Sequence, residues 1–313
     1  RTFEMFGEVQ RLLNFTLKIA KDLKPTDLGE LLGHICDLCG VPFQIRNTVR
    51  RKLGIAKLIN NALRSGILRP STAGELAGKC MFACTALYGR VGRAALKPIF
   101  ERQHATGSCI FIGRRLRAAL QCILRIVHEA PPRTVMPSFQ NSRRQTVAYT
   151  DGQGSERWIA AVVFPGPPFK PAFAAMQLPS DLINRFQCRN AIEQIETCAV
   201  FLLLDVFGAE LRDSDLRLFV DNVAEQGSLV RGFSRSHSQA VLCGAVWASV
   251  ARLRVGLWVD RVESAANVAD IPTRPEQSER FQILRNLGVR CRVPPRLQVV
   301  ARINKELDCA GVA

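Results

Sequence analysis

The chain has 313 residues, of which 47% are hydrophobic and 22% are charged. This balance is typical of a globular protein and excludes a disordered chain, and the length allows two domains of ordinary size. The longest apolar run, 198–204, is far too short to span a bilayer, so a membrane partner is not expected. The chain starts at Arg1 without a signal-peptide pattern, as expected of a fragment or a trimmed polyprotein.

Two compositional features bear on compartment and partners. The eleven cysteines are scattered, which is typical of reduced thiols and predicts an intracellular protein, in either the nucleus or the cytoplasm. Residues 1–145 hold 24 Lys and Arg against 9 Asp and Glu, whereas residues 146–313 hold 19 against 18. This asymmetry predicts a nucleic-acid-binding half joined to a neutral half, with a solvated basic surface as the alternative.

The first half has the apolar spacing of helices. Helical periodicity runs over 49–65, and Gly66 is placed to end that helix. Thr72-Ala-Gly-Glu75 is a capping-box pattern that predicts the start of a second helix. A further helix is predicted over 114–129, and a short strand or strand pair over 31–41.

The second half alternates strands and helices. Three strands are predicted as a meander, then a long helix, a fourth strand, further helices and a fifth strand. The strands are predicted over 146–150, 158–164, 172–178, 216–220 and 256–262. The long helix is predicted over about 185–207, and the further helices from about 223 and over about 239–252. This order predicts an α/β fold with a mixed sheet. Trp158 and Trp258 lie within these strands, where a core position is expected for one or both.

Four acidic residues occupy comparable places in this pattern. Asp151 and Asp221 end the first and fourth strands, and Asp270 follows the fifth. The long helix offers Glu193 and Glu196 as the fourth acid. Glu196 falls inside the apolar stripe of the helix and is therefore expected to point inward, whereas Glu193 falls on a more polar face.

Inward-facing carboxylates are costly unless a cation or hydrogen bonds satisfy them. Oxygen ligands of this kind suit two Mg²⁺ ions, with Mn²⁺ as an alternative, that clamp the attacking water and the leaving oxygen of a phosphodiester. Gly152 and Gly154 are expected to let the chain turn tightly and let a phosphate backbone approach Asp151. For a single strand-end aspartate, a turn cap is the alternative.

The ordered set YTDG, QIE, FVDN and NVADIPTR resembles the ribonuclease H domain of retroelement reverse transcriptases, especially the LTR and tyrosine-recombinase groups. The resemblance covers residues 146–275 and implies a ribonuclease H-like five-stranded mixed sheet with flanking helices. It also implies that Asp151, Glu196, Asp221 and Asp270 are the catalytic, metal-binding acids. The mobile histidine of many ribonucleases H has no counterpart here, because no histidine follows His237.

The first half resembles, more loosely, the thumb and connection that precede this domain in such polyproteins. The residues that carry it are LRSGILRP, ELAG and YGRVGRAALKP. The resemblance implies the end of a palm-like region over 1–60, a mainly helical thumb/connection-like region over 61–130 and a linker over 131–145. Residues 276–313 are then a C-terminal extension.

Substrate contacts follow from the same resemblance. Arg90, Arg93 and Lys97 are expected to bind the phosphates of a template–primer duplex, and Asn222 and Asn267 either contact 2′-hydroxyls or cap turns. No two acids are adjacent in the chain, so polymerisation is not expected. A polymerase domain would lie upstream of Arg1, linked covalently or non-covalently.

The predicted function is hydrolysis of the RNA strand of RNA–DNA hybrids. One alternative shares the fold but transfers DNA strands; that class usually ends its acid set with a glutamate, where this chain has Asp270. The other is a retroelement remnant that binds nucleic acid without cleaving it.

Overall fold

A computed structural model describes residues 26–106, 110–135, 143–186 and 188–312. The described chain opens with a four-stranded antiparallel sheet in the order β1-β2-β3-β4. Its strands are β1 (Leu28–Leu31), β2 (His34–Asp37), β3 (Phe43–Asn47) and β4 (Arg133–Val135). The strand pair expected over 31–41 is therefore a larger sheet, and β4 lies inside the segment predicted as a linker. Residues 1–25 of the palm-like region predicted over 1–60 lie outside the described residues.

Four helices lie between β3 and β4 in the chain. They are α1 (Val49–Ser65), α2 (Pro70–Cys84), α3 (Lys97–Gln103) and α4 (Arg114–Glu129), with a 3₁₀ turn at Ala94–Leu96 before α3. The α1 prediction is confirmed at both ends, because Thr48 accepts a hydrogen bond from the Arg51 amide and Gly66 adopts a left-handed φ of 69°. The capping-box prediction is wrong. Helix α2 begins at Pro70, whose fixed φ suits a first helical turn, and Glu75 pairs with Lys79 instead.

The second half is built on a six-stranded mixed sheet in the order β10-β7-β6-β5-β8-β9. Its strands are β5 (Arg144–Gly152), β6 (Trp158–Phe164), β7 (Ala172–Gln177), β8 (Ser214–Val220), β9 (Gly256–Arg261) and β10 (Arg290–Cys291). Strands β5, β6 and β7 form the antiparallel meander, β8 pairs with β5 in parallel, and β9 pairs with β8 in parallel. The predicted mixed α/β sheet is confirmed, with the short β10 as an unexpected sixth strand beside β7.

The helices of the second half are α5 (Ser180–Asn184), α6 (Ile192–Val206), α7 (Gly208–Leu211), α8 (Val223–Arg231), α9 (His237–Leu253), α10 (Phe281–Asn286) and α11 (Arg296–Cys309). The long helix starts at Ile192 rather than near Arg185. The Asn190 side chain accepts a hydrogen bond from the Ile192 amide, and the Arg185 side chain is drawn to α11 through Asn304 and Asp308. Such side-chain bonds compete with helical ones.

The main hydrophobic core is shared by both halves. Ile59 and Leu120 of the first half belong to one apolar cluster with Phe201 and Val246 of the second. A smaller cluster lies around Ile271, where the chain that follows β9 packs on Val162, Leu284 and Val289. This second cluster fixes the turn that carries Asp270. Within the described ranges, no helix combines the length and apolarity needed to cross a membrane.

Candidate active site

Parallel pairing of β5 with β8 brings two of the predicted acids together at the carboxyl ends of these strands. Tyr149 pairs with Phe219, so the register places Asp151 level with Asp221, which directly follows the last residue of β8. Neighbouring strands lie about 4.8 Å apart, so these carboxylates converge without any special loop. Asp151 is buried, at 8% exposure, while Asp221 is half-buried.

Helix α6 crosses the end of β5 and supplies Glu196. A Cβ on Gly152 would lie 2.9 Å from the Glu196 amide nitrogen and 3.0 Å from its Cα, so only glycine permits this crossing. The expectation that Gly152 leaves room for a phosphate backbone is wrong, because α6 fills that room. Glu193, one turn earlier, accepts a hydrogen bond from the Ser228 hydroxyl at 2.6 Å.

The buried carboxylates hold their protons tightly. Burial raises the pKa of Asp151 to about 6, with the charges of Asp221 and Asp270 adding to the effect and a hydrogen bond from Thr273 opposing it. Burial raises the pKa of Glu196 to about 8, aided by the charges of Asp221 and Asp151 and opposed by a hydrogen bond from Asn222. The structure therefore brings Asp151, Glu196 and Asp221 within electrostatic reach of one another.

Glu225 is a further acid of this site that the sequence analysis missed. It stands in the first turn of α8, is 1% exposed, and its pKa is raised well above the ordinary value by burial and then by the charges of Glu196, Asp221 and Asp151. Its one sequence signal is the Asn222-x-x-Glu225 spacing of a capping box, in which the glutamate is usually solvated. Among the described residues, neither Glu225 Oε1 nor Glu196 Oε2 has a hydrogen-bond partner.

Asp270 lies in the 3₁₀ turn Val268–Asp270, next to the other acids, but its oxygens are already engaged. Its Oδ1 pairs with Arg274 and its Oδ2 with Arg280, each at 2.7 Å. Thr273 ties the turn to the strand, because its hydroxyl donates to Asp151 Oδ2 at 2.6 Å. Asp270 thus contributes charge to the site while its carboxylate is held by two guanidinium groups.

The donor set has the chemistry that Mg²⁺ or Mn²⁺ requires. Carboxylate oxygens are hard ligands, and two buried ones lack any partner in the described residues. The acidic side chains, however, stand too far apart to share a metal ion as they are. In the described parts of the chain, no three Asp, Glu, His or Cys side chains lie close enough to hold one. Metal binding would therefore require the side chains of Asp151, Glu196 and Asp221 to close in.

The five residues predicted to bind nucleic acid lie in varied settings. Arg90 and Arg93 donate to the carbonyls of Val230 at 3.1 Å and Arg231 at 3.5 Å, at the carboxyl end of α8. These bonds dock the first half on the second.

The other three have local partners. The Lys97 ammonium lies 3.8 Å from Glu101. Asn222 caps α8, accepting from the Ala224 amide at 2.8 Å. Asn267 is 2% exposed and donates to the Thr150 carbonyl, so it caps a turn and does not reach a substrate.

Comparison with known proteins adds little. No protein-family model matches the chain, and no curated protein matches it. A solved structure of the foamy viral protease–reverse transcriptase dRH in complex with ds DNA matches at a TM-score of 0.32 and 14% sequence identity. The match covers 82% of this chain and 42% of that one, so the present chain spans less than half of the neighbour. We draw no functional conclusion from a likeness at this level.

Proposed function

We propose that this chain is a metal-dependent endonuclease that hydrolyses the RNA strand of RNA–DNA hybrids, as the ribonuclease H-like part of a retroelement reverse transcriptase. The observation that carries the proposal is the meeting of Asp151, Glu196 and Asp221 at one sheet edge, with a buried carboxylate oxygen of Glu196 that has no partner among the described residues. Such an arrangement destabilises the fold at a pH where the carboxyls ionise, unless a cation neutralises them.

Asp151, Glu196 and Asp221 would hold the divalent cations. When bound, two such ions lower the pKa of an attacking water and stabilise charge on the leaving 3′ oxygen. Asp270 is proposed as the fourth ligand. Because both of its oxygens are paired with arginines, it would have to give up one of those contacts to serve.

Neighbouring side chains orient these acids. The Thr273 hydroxyl fixes Asp151 Oδ2, and Asn222 bonds to Glu196 while capping α8. Glu225 lies close enough to Glu196, Asp221 and Asp151 for their charges to raise its pKa, and a bound cation would oppose that shift by favouring the ionised carboxylates. Preorganised ligands with fixed partners are what metal-assisted hydrolysis needs.

Substrate binding would come from the basic first half. Cationic side chains on phosphates give strong, salt-dependent binding without sequence preference, and the 2′-hydroxyls and the shape of the duplex distinguish a hybrid from DNA or from duplex RNA. Products would carry a 5′-phosphate and a 3′-hydroxyl.

One observation favours a second candidate, a non-catalytic nucleic-acid-binding module. The arginine pairs of Asp270 neutralise it without a metal, as expected of a site that no longer binds one.

A comparison of three labelled duplexes in Mg²⁺ separates these functions: hybrid, duplex RNA and duplex DNA of one sequence. The proposal predicts cleavage of the RNA strand of the hybrid alone. Nicking or joining of DNA would indicate the strand transferase. Salt-sensitive binding of all three duplexes without cleavage would indicate the binding module.

A further inference from the structure

A cleft lies at the junction of the two halves, away from the acids. It has a volume of about 400 Å³ and opens between the Tyr88–Arg90 loop, β4 and the edge strand β9. The polar and aromatic side chains that line it include Arg90, Arg133 and Trp258. Strand β9 ends the sheet on this side.

Trp258 projects from β9 with 67% of its surface exposed, contrary to the core position expected from the sequence. It stands beside Arg217 in the parallel register with β8, and Arg217 is also exposed. An exposed indole ring beside a cation on an open sheet edge offers a ligand both apolar surface to bury and a positive charge to pair with. A nucleobase is a flat ligand of the right chemistry, because every base has a π-face that stacks on an indole.

Arg90 and Arg133, which line the cleft, and Arg217, which stands beside Trp258 on the next strand, carry charge that the protein does not neutralise. In the parts of the chain that the structure describes, no carboxylate forms an ion pair with Arg90, Arg133 or Arg217. Burial lowers the pKa of Arg90, and the positive charges of Arg93 and Arg133 lower it further. Arginines that repel one another at an aromatic cleft fit a polyanion.

The cleft is held in shape before any ligand arrives. Gly89 adopts a left-handed φ of 59°, and a Cβ there would lie 2.4 Å from the Trp247 ring. Trp247 in turn donates its indole N–H to the Leu229 carbonyl at 2.9 Å, beside the Val230 carbonyl that accepts from Arg90. Gly89 and Arg90 of the YGRVGR segment thus help to build one wall of the cleft.

We propose that this cleft binds a single-stranded segment of nucleic acid, with an unstacked base on Trp258 and the adjoining phosphates on Arg90, Arg133 and Arg217. Trp258 pairs with Arg217, four residues before Asp221, so the stacking position lies roughly 13 Å along the strand from the acids. The inference shares with the proposed function only the class of ligand, and it holds whether or not the acids hydrolyse a substrate.

Tryptophan fluorescence in EDTA tests the proposal, because no cleavage occurs there and failure of hydrolysis cannot affect the result. The full chain is titrated with a short oligothymidylate and, separately, with a blunt DNA duplex. We expect the single strand to quench the fluorescence and to bind more tightly than the duplex. Trp258→Ala should weaken single-strand binding by roughly 5- to 150-fold and remove most of the quench, because stacking contributes about 1–3 kcal/mol per base.

Matched variants make the test specific. Trp258→Phe should restore most of the affinity, and Trp158→Phe, on half-buried β6, should leave affinity unchanged. Arg133→Ala should lower the slope of log K against log salt by about 0.7. Unchanged affinity and quench in Trp258→Ala, or equal binding of the blunt duplex, would overturn the proposal.

Discussion

Replacing Glu196 by Gln should stabilise the protein at neutral and alkaline pH, although it removes a proposed ligand. Folding raises the pKa of this carboxyl from 4.5 to about 8, mainly by burial, so the folded state binds the proton more tightly than the unfolded state does. The contribution of Glu196 to stability is therefore full below pH 4.5 and is lost as pH rises to about 8. The amide of Gln carries no such dependence.

The size of the effect follows from the two pKa values. Each pKa unit corresponds to 1.36 kcal/mol, so the whole change is roughly 5 kcal/mol, of which about 3–4 kcal/mol falls between pH 5 and pH 8. At 7% exposure, Glu196 is little screened by solvent. This is a large share of the roughly 5–15 kcal/mol that stabilises an ordinary domain.

Urea unfolding followed by circular dichroism, in EDTA, measures the difference between the variant and the wild type across this pH range. The exposed Glu156→Gln is the matched control and should change stability by less than about 0.5 kcal/mol at every pH. Millimolar Mg²⁺ should stabilise the wild type at pH 8, by about 1.4 kcal/mol at ten times its dissociation constant, and the variant less. A flat difference curve, or a less stable variant at pH 8, would refute the reasoning.

Two further substitutions probe the geometry of the site. Gly152→Ala should push α6 from β5, since its Cβ would lie 2.9 Å from the Glu196 amide, and should cost about 1–3 kcal/mol on thermal unfolding together with most hybrid cleavage. Gly154→Ala is the control, because its Cβ would meet only a side-chain methyl of Ile192, at 3.4 Å. Equal effects of the Gly152 and Gly154 substitutions would contradict the close crossing of α6 over β5. Thr273→Val removes the hydrogen bond that holds down the pKa of Asp151, so the midpoint of its titration in the metal-free protein, expected near pH 6 and followed by NMR, should move to higher pH. An unmoved midpoint would show that the Thr273 hydroxyl does not hold down the pKa of Asp151.

Much of the fold was predictable because local signals and tertiary packing agree. Helix α1 has a threonine cap and a terminal glycine, and the structure uses both. The strand-end positions of Asp151 and Asp221 follow from the apolar runs before them. Their meeting required only that β5 and β8 pair in parallel.

The remaining features depend on contacts between distant segments. The burial of Glu225 depends on how α8 packs beside α6, whereas its spacing from Asn222 indicates an ordinary capping residue. Asp270 and Arg280 are ten positions apart, so their pairing depends on how the chain between them folds back. The exposure of Trp258 depends on β9 being the edge strand, which alternation within one strand does not reveal.

The proposed function requires the acids at the ends of β5 and β8 to cleave a hybrid with the help of a divalent cation. Asp221→Asn keeps the size of the side chain and removes its charge at the level of Asp151. The most direct measurement compares wild type and Asp221→Asn on a labelled RNA–DNA hybrid in Mg²⁺, with binding measured in EDTA. Metal-dependent cleavage by the wild type, lost in the variant while binding persists, is the predicted result. Equal cleavage by both proteins, or binding without cleavage by the wild type, would contradict the claim.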